Sequence, residues 1–344
     1  MASNPPIKRA GILGASGYTG AELLRLLAGH PNLDVVVSTG DTQAGSSIAS
    51  LYPSLAAHYG DQKFAENDPS SCHGLDVVFL GLPHEASLEM VPQLVGQVGC
   101  VVDLSAAFRL KNASAYPTYY GFDHAQPKLL AEAVYGLPER HRASLPGARL
   151  VATPGCYVTA ATLALAPLVD AGVIETTGVI VDAASGVSGA GRAPKHTNLF
   201  CTVDEDMTAY GLIDHRHTPE MEEQIGATLL FTPHLVPMNR GILATCYARP
   251  ARSVSTADLL QVLSNAYANE PFVVVREDAP STKATLGSNA VHITARFDER
   301  TGHVMVISAL DNLCKGASGG AVQAANVALG LPETAGLSAI GVYP

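Results

Sequence analysis

Residues 10–29 read Ala10-Gly11-Ile12-Leu13-Gly14-Ala15-Ser16-Gly17-Tyr18-Thr19-Gly20-Ala21-Glu22-Leu23-Leu24-Arg25-Leu26-Leu27-Ala28-Gly29. The order is strand, glycine-rich turn, helix. Ala10–Leu13 is a short apolar strand. From Ala21 to Ala28 the leucines recur at helical spacing, and Gly29-His30-Pro31 is a helix stop. Glycines at 11, 14, 17 and 20 form a variant of the dinucleotide fingerprint. Such glycines let the backbone turn tightly and approach a pyrophosphate seated on the N-terminus of the next helix. A lone glycine pattern is weak, but its place between a strand and a helix is the context a nucleotide site requires. Gly14, Ser16, Gly17, Tyr18, Thr19 and Gly20 are therefore the candidate cofactor ligands.

Leu33–Val37 is a β-branched second strand, closed by Ser38-Thr39-Gly40. NAD sites usually place an acidic residue there to hold the ribose hydroxyls. Here the hydroxyls of Ser38 and Thr39 come first, which suits a 2′-phosphate and hence NADP(H). Arg9 and the loop Gln43–Ser47 are further candidate helpers. Asp76–Leu80 and Val101–Leu104 read as buried strands of a parallel sheet. Strands alternating with helices predict a right-handed βαβ arrangement.

Near Val151 the pattern changes. Strand-like segments at 179–181, 227–232, 242–248, 272–276, 291–297 and 303–309 dominate the second half and predict an α+β domain on a mainly antiparallel sheet. The last helix is expected over Ser318–Leu329. The chain of 344 residues suits two domains, and 47% hydrophobic against 15% charged residues allows a large core. A net charge of −10 argues against nucleic acid and anionic membranes as partners. The scattered cysteines show no zinc spacing and read as reduced thiols. The polar start, Met1–Ala10, lacks the apolar stretch of a signal peptide, and no apolar run reaches membrane length. A soluble cytoplasmic protein without a resident metal is expected.

Cys156 follows Thr153-Pro154-Gly155 and precedes an apolar, Ala/Leu-rich helix running from Tyr157 to Leu168. A thiol at a helix N-terminus meets unsatisfied N–H groups and the positive dipole end, which favour a thiolate nucleophile for acyl transfer. The alternative is a small buried cysteine. His215-Arg216-His217-Thr218-Pro219-Glu220 opens another helix, with Thr218 and Pro219 suited to its first turn. Either histidine there is an acid/base candidate beside Cys156, or a structural residue. Ser185–Arg192 (SGVSGAGR) follows a strand and forms an anion nest or a close approach to a ligand. Arg109, in Asp103–Arg109, is either an anion contact at a strand end or a surface salt bridge. Asn312 orients a carboxamide or serves as a turn residue.

Together these segments resemble the N-acetyl-gamma-glutamyl-phosphate reductase family of arginine biosynthesis. The resemblance is carried by GASGYTGAELLRLL, GLPH (81–84), DLSAAFRL (103–110), YGLPE (135–139), PGCYVTA (154–160), SGVSGAGR (185–192), HRHTPE (215–220), PMNRGILAT (237–245) and DNLCKGASGGAVQ (311–323). It implies a Rossmann-type dinucleotide-binding domain, 1–153 plus 315–344, and an α+β substrate and dimerisation domain, 154–314. It also implies NADP(H), a homotetramer or homodimer, and a small acyl-phosphate substrate. Cys156 takes the place of the family nucleophile and His217 that of the acid/base. Ser185, Gly186 and Asn312 fall on the cofactor side. Arg109, Ser188, Gly189 and Arg240 fall on the side of the substrate and its phosphate. The chain departs from the family pattern at Ala107, where an acidic residue is common, and at Thr39-Gly40, where an arginine is common. The implied reaction runs through a Cys156 thioester. A reductase of an aspartyl or aminoadipyl phosphate and a non-catalytic NADP-binding regulator are the rival readings.

Overall fold

The computed structural model describes residues 7–344, so the first part of the polar start, Met1–Pro6, lies outside the described residues. The chain divides into two compact units. One comprises the segment ending at Ala113, Asp123–Pro154 and Ala317–Leu337; the other comprises Ser114–Phe122, Gly155–Gly316 and Ser338–Pro344.

The first unit contains β1 (Lys8–Leu13), α1 (Tyr18–Leu27), β2 (Leu33–Ser38), β3 (Val77–Leu80), α2 (His84–Leu94), β4 (Cys100–Asp103), β5 (Val134–Tyr135) and β6 (Leu150–Ala152). The strands pair in the order β2-β1-β3-β4-β6-β5, all parallel. Every residue of β3, β4 and β6 is buried, as expected of parallel strands covered on both faces. α1 buries Leu23, Leu24, Leu26 and Leu27. The C-terminal helix Gly319–Ala328 packs on α1 and β4. It is tied by Asn326 Oδ1 to His30 Nε2 at 3.0 Å, and the Ser318 hydroxyl donates to the Thr19 carbonyl at 2.8 Å. Because β1 lies between β2 and β3, the chain reverses direction across the sheet at the β1–α1 turn, the switch point at which such sheets take ligands.

The second unit contains α3 (Cys156–Asp170), β7 (Val179–Gly186), β8 (Thr208–Ala209), α4 (Thr218–Ile225), β9 (Leu229–Val236), β10 (Ile242–Ala248), α5 (Thr256–Ala266), β11 (Val273–Val275), β12 (Val291–Asp298) and β13 (His303–Leu310). Its seven strands run in the order β11-β12-β13-β10-β7-β9-β8. The sheet is mixed, which refines the mainly antiparallel expectation: β7–β9 and β11–β12 are parallel, the remaining pairs antiparallel. The long connection from β7 to β9 carries α4, which allows a parallel return.

Alternation along β10 (buried at Ile242, Ala244, Cys246 and Ala248) turns one face of the sheet inward. α3 lies on β10 and β13. It is buried continuously from Tyr157 to Leu168, and its many alanines allow the close approach that full burial requires. Side chains reach its backbone from outside: Ser308 donates to the Ala160 carbonyl at 2.8 Å and Tyr267 to the Leu163 carbonyl at 2.6 Å. The N-terminus of α3 is thus held by a rigid, apolar support.

Candidate active site

Cys156 is the first residue of α3, half-buried, with Gly155 at the N-cap. Glycine offers no capping side chain, and the fully buried Glu220 on the first turn of α4 accepts the Gly155 N–H at 3.0 Å. His217 is the N-cap of α4 and lies edge-on against Gly155. A Cβ at Gly155 would fall 2.7 Å from His217 Cε1 and 2.8 Å from Cδ2, and nearer still to Nε2. The chain on the other side is as close: a Cβ at Gly316 would stand 2.9 Å from Cys156 Cβ. Gly316 belongs to a single π turn, Cys314–Ser318. Gly155→Ala is expected to displace the His217 ring and lower kcat by about 10²-fold, the usual cost of an ångström-scale misplacement. Steady-state kinetics with a melting curve checks this.

The other cysteines differ from Cys156. Burial pushes the thiols of Cys100 and Cys246 up to about 12 and raises that of Cys72, so these remain protonated packing residues; Cys201 is exposed.

Polar rings cluster at the start of α3. Tyr210 donates to the Tyr157 hydroxyl at 3.1 Å, and Tyr157 donates to the His234 carbonyl at 3.1 Å. Burial raises both phenols, Tyr210 to about 12, with the Cys156 charge adding to each shift. Neither phenol ionises near neutral pH. Burial, then the Arg216 charge, lowers His215 to about 4, so this ring is neutral.

The glycine-rich turn after β7 and the loop after β13 meet. Asn312 Oδ1 accepts the Gly241 N–H at 2.7 Å, and its Nδ2 donates to Ser188 Oγ at 2.9 Å. Ser185 Oγ would lie 3.0 Å from a Cβ at Gly189, and Gly186 packs on the backbone of Met238–Arg240. The structure thus brings Ser185, Gly186, Ser188, Gly189, Arg240 and Asn312 together. It engages Arg240 in an ion pair with fully buried Asp311 (Nε–Oδ2, 2.9 Å).

In the first unit, Gly14 has φ +83°, and a Cβ there would lie 2.5 Å from the Gly81 carbonyl oxygen. No side chain caps α1, whose N-cap is Gly17. A bare helix N-terminus behind a glycine cradle fits a dinucleotide. Ser16, Tyr18, Thr19 and Gly20 belong to this turn. Fully buried Thr39 fixes it: its hydroxyl accepts the Gly14 N–H at 3.1 Å and donates to Asn67, and its carbonyl accepts the Ala15 N–H at 2.7 Å. Ser38 ends β2 beside it. Arg9 sits at the start of β1, where its N–H donates to Asp76, at the opposite end of the strand from this turn. Arg109 is buried and donates to the Leu104 carbonyl at 2.8 Å, so it clasps its own loop.

The sequence reading missed Glu220, Tyr157, Tyr210 and Asp311 as parts of the site. The one signal available for Glu220 was its place in HRHTPE.

Comparison with known proteins adds family identity. Residues 9–148 match the model described as semialdehyde dehydrogenase, NAD binding domain, and residues 156–312 the semialdehyde dehydrogenase, dimerisation domain. The chain is 47% identical to an N-acetyl-gamma-glutamyl-phosphate reductase of Symbiobacterium thermophilum, over 98% of this chain and 99% of that one. It is 46% identical, at the same coverages, to the enzyme of that name from Geobacter sulfurreducens. Among solved structures, aspartate semialdehyde dehydrogenase II of Vibrio cholerae superposes with a TM-score of 0.70 at 16% identity, covering 94% of this chain and 98% of that one, which is a likeness of fold. Among the described residues, no helix is long and apolar enough to cross a membrane.

Proposed function

The chain belongs to the N-acetyl-gamma-glutamyl-phosphate reductase family, and from that premise we propose that it reduces N-acetyl-gamma-glutamyl phosphate to N-acetylglutamate 5-semialdehyde with release of phosphate. The observation that carries this reading is Cys156 at the start of α3, with His217 packed against Gly155 and Glu220 holding the Gly155 N–H.

The Cys156 thiolate attacks the acyl carbonyl, the C–O bond to phosphate breaks, and a thioester forms on Sγ. N–H groups at the start of α3 are donors for the oxyanion that develops. NADPH, when held at the glycine-rich turn of the first unit, would supply the hydride for reduction of this thioester. His217 accepts the thiol proton in the first step; after hydride addition the hemithioacetal oxyanion re-forms its C=O as the C–S bond breaks, and His217 returns its proton to the departing Sγ, which releases the aldehyde and regenerates the thiol. Tyr157 and Tyr210, held protonated, serve as neutral donors around the thiol helix. Ser188 and Gly189, on the glycine-rich turn after β7, are the proposed substrate contacts.

The division of labour follows the two units. Gly14, Ser16, Gly17, Tyr18, Thr19 and Gly20 would hold the dinucleotide, with Ser38 and the Thr39 segment toward the 2′-phosphate; the second unit carries the acyl chemistry. The enzyme works in the cytoplasm as a homodimer or homotetramer. Supporting self-association, Ile180, Leu230 and Val274 on the second sheet are 37%, 50% and 40% exposed, inside the segment that matches a dimerisation domain.

The test is the reverse reaction: N-acetylglutamate semialdehyde, phosphate and NADP⁺, followed by absorbance of the reduced cofactor. Turnover that requires phosphate supports the proposal. Turnover only with aspartate or aminoadipate semialdehyde would replace the substrate, and none with any of them would sink it.

A further inference from the structure

We infer that His215 is the positioning residue of the site, holding the backbone and ring of His217 against Gly155. The inference rests on the reading of Cys156 as nucleophile and His217 as acid/base. The backbone N–H of His217 donates to His215 Nδ1 at 3.1 Å. This matters because His217 is an N-cap with no side-chain capping bond of its own. The same ring meets the His217 ring edge-to-face, centroids 4.8 Å apart at 74°. One residue therefore fixes both the main chain and the side chain of the proposed acid/base.

His215 is itself over-determined. Tyr157, Tyr210 and Phe231 box it in edge-to-face, at centroid distances of 5.9, 5.5 and 5.1 Å. Gly211, in the left-handed region at φ +55°, closes another side; a Cβ there would stand 3.0 Å from His215 Cδ2. A ring gripped this way has one orientation to offer, and Nδ1 must be unprotonated to accept the amide. The proton then sits on Nε2. The titratable groups around it are Asp214 and Arg216 on its own loop, His217 at the start of α4, Tyr157 on α3 and Tyr210 after β8. Burial and Arg216 keep the ring neutral down to about 4. It thus stays a fixed acceptor through the whole range in which a working histidine changes charge. HRHTPE then holds two histidines of different duty: the first is locked neutral to aim the second.

Two variants separate aiming from mere packing. His215→Phe keeps a ring in the box and removes the acceptor; His215→Asn shrinks the side chain but restores an acceptor near Nδ1. In the reverse assay, His215→Phe is expected to lower kcat by about 10²-fold with KM for the aldehyde within about twofold, and His215→Asn to recover most of that loss. A second readout needs no substrate: the pH–rate profile of iodoacetamide alkylation, followed on the Cys156 peptide by mass spectrometry. His215→Phe should move its inflection in the direction that His217→Ala moves it, and His215→Asn should not. Wild-type kcat in His215→Phe, a loss confined to KM, an Asn variant no better than Phe, or an unmoved alkylation profile would each overturn the inference. An inactive wild type with the expected alkylation profiles would fault the substrate assignment and leave the role of His215 standing.

Discussion

Cys156→Ser is expected to lose at least about 10³-fold in kcat while its melting temperature and NADPH affinity stay at wild-type values. The substitution exchanges one small side chain for another at a half-buried helix start, so packing has little reason to change. What changes is the proposed nucleophile. A thiol is partly ionised near neutral pH when a helix N-terminus faces it, whereas a serine hydroxyl is not. The structure supplies its own control. Cys201 is also accessible but lies on a short exposed helix, Phe200–Val203, and Cys201→Ser should retain full activity. Reverse-assay kinetics on both variants, with cofactor titration by fluorescence, checks this. A Cys156→Ser enzyme within tenfold of wild type would remove the thioester from the mechanism.

The charges around the thiol support the same expectation. Tyr157 and Tyr210 stay protonated because burial, and the charge Cys156 carries when ionised, both oppose their ionisation. His215 stays neutral for the first of these reasons, aided by Arg216. Glu220 spends one oxygen on the Gly155 N–H, which pins the peptide that leads into the thiol. The arrangement is preorganised before any substrate arrives, the condition under which electrostatic stabilisation costs least during reaction.

How far the sequence reveals this differs from element to element. β1, α1, β10 and β13 follow from local periodicity alone, because their partners only have to be apolar. β5 and β8 are two-residue strands whose existence depends on β6 and β9, and nothing local marks them. The parallel pairing of β7 with β9 is likewise a property of the connection, since alternation gives a strand its faces but not its neighbour's direction. At the site, Cys156 is legible because a helix start and a thiol are adjacent in sequence. Glu220 reads only as a helix-opening residue, because the amide it accepts is 65 positions away. The same distance effect governs Arg240. A lone arginine in PMNRG reads as a substrate cation, but its carboxylate partner stands 71 positions on.

That partner carries the second large effect. Asp311→Ala is expected to destabilise the protein by about 3–5 kcal/mol, the range for breaking a buried ion pair from one side, and to lower Tm by roughly 6–20 °C at about 2–4 °C per kcal/mol. Asp311 is fully buried and serves several donors at once. It accepts from Arg240 NH2 at 2.9 Å, from the Gly287 N–H at 2.7 Å, and from the Leu313 and Cys314 N–H groups at 2.9 and 3.0 Å. Removing it takes a carboxylate from the guanidinium and an acceptor from three amides together. It also frees the loop that carries Asn312 and leads into Gly316, the residue seated on Cys156. Activity should therefore fall along with stability, even well below the new Tm. Arg240→Met tells the two assignments of this arginine apart. As the anchor of Asp311, its loss lowers Tm by several degrees and leaves KM for phosphate in the reverse reaction nearly unchanged. As a phosphate ligand, its loss raises that KM by tenfold or more at an unchanged Tm, about the worth of one charged hydrogen bond. The ion pair in the structure favours the first outcome, and a melting curve beside a phosphate titration decides it.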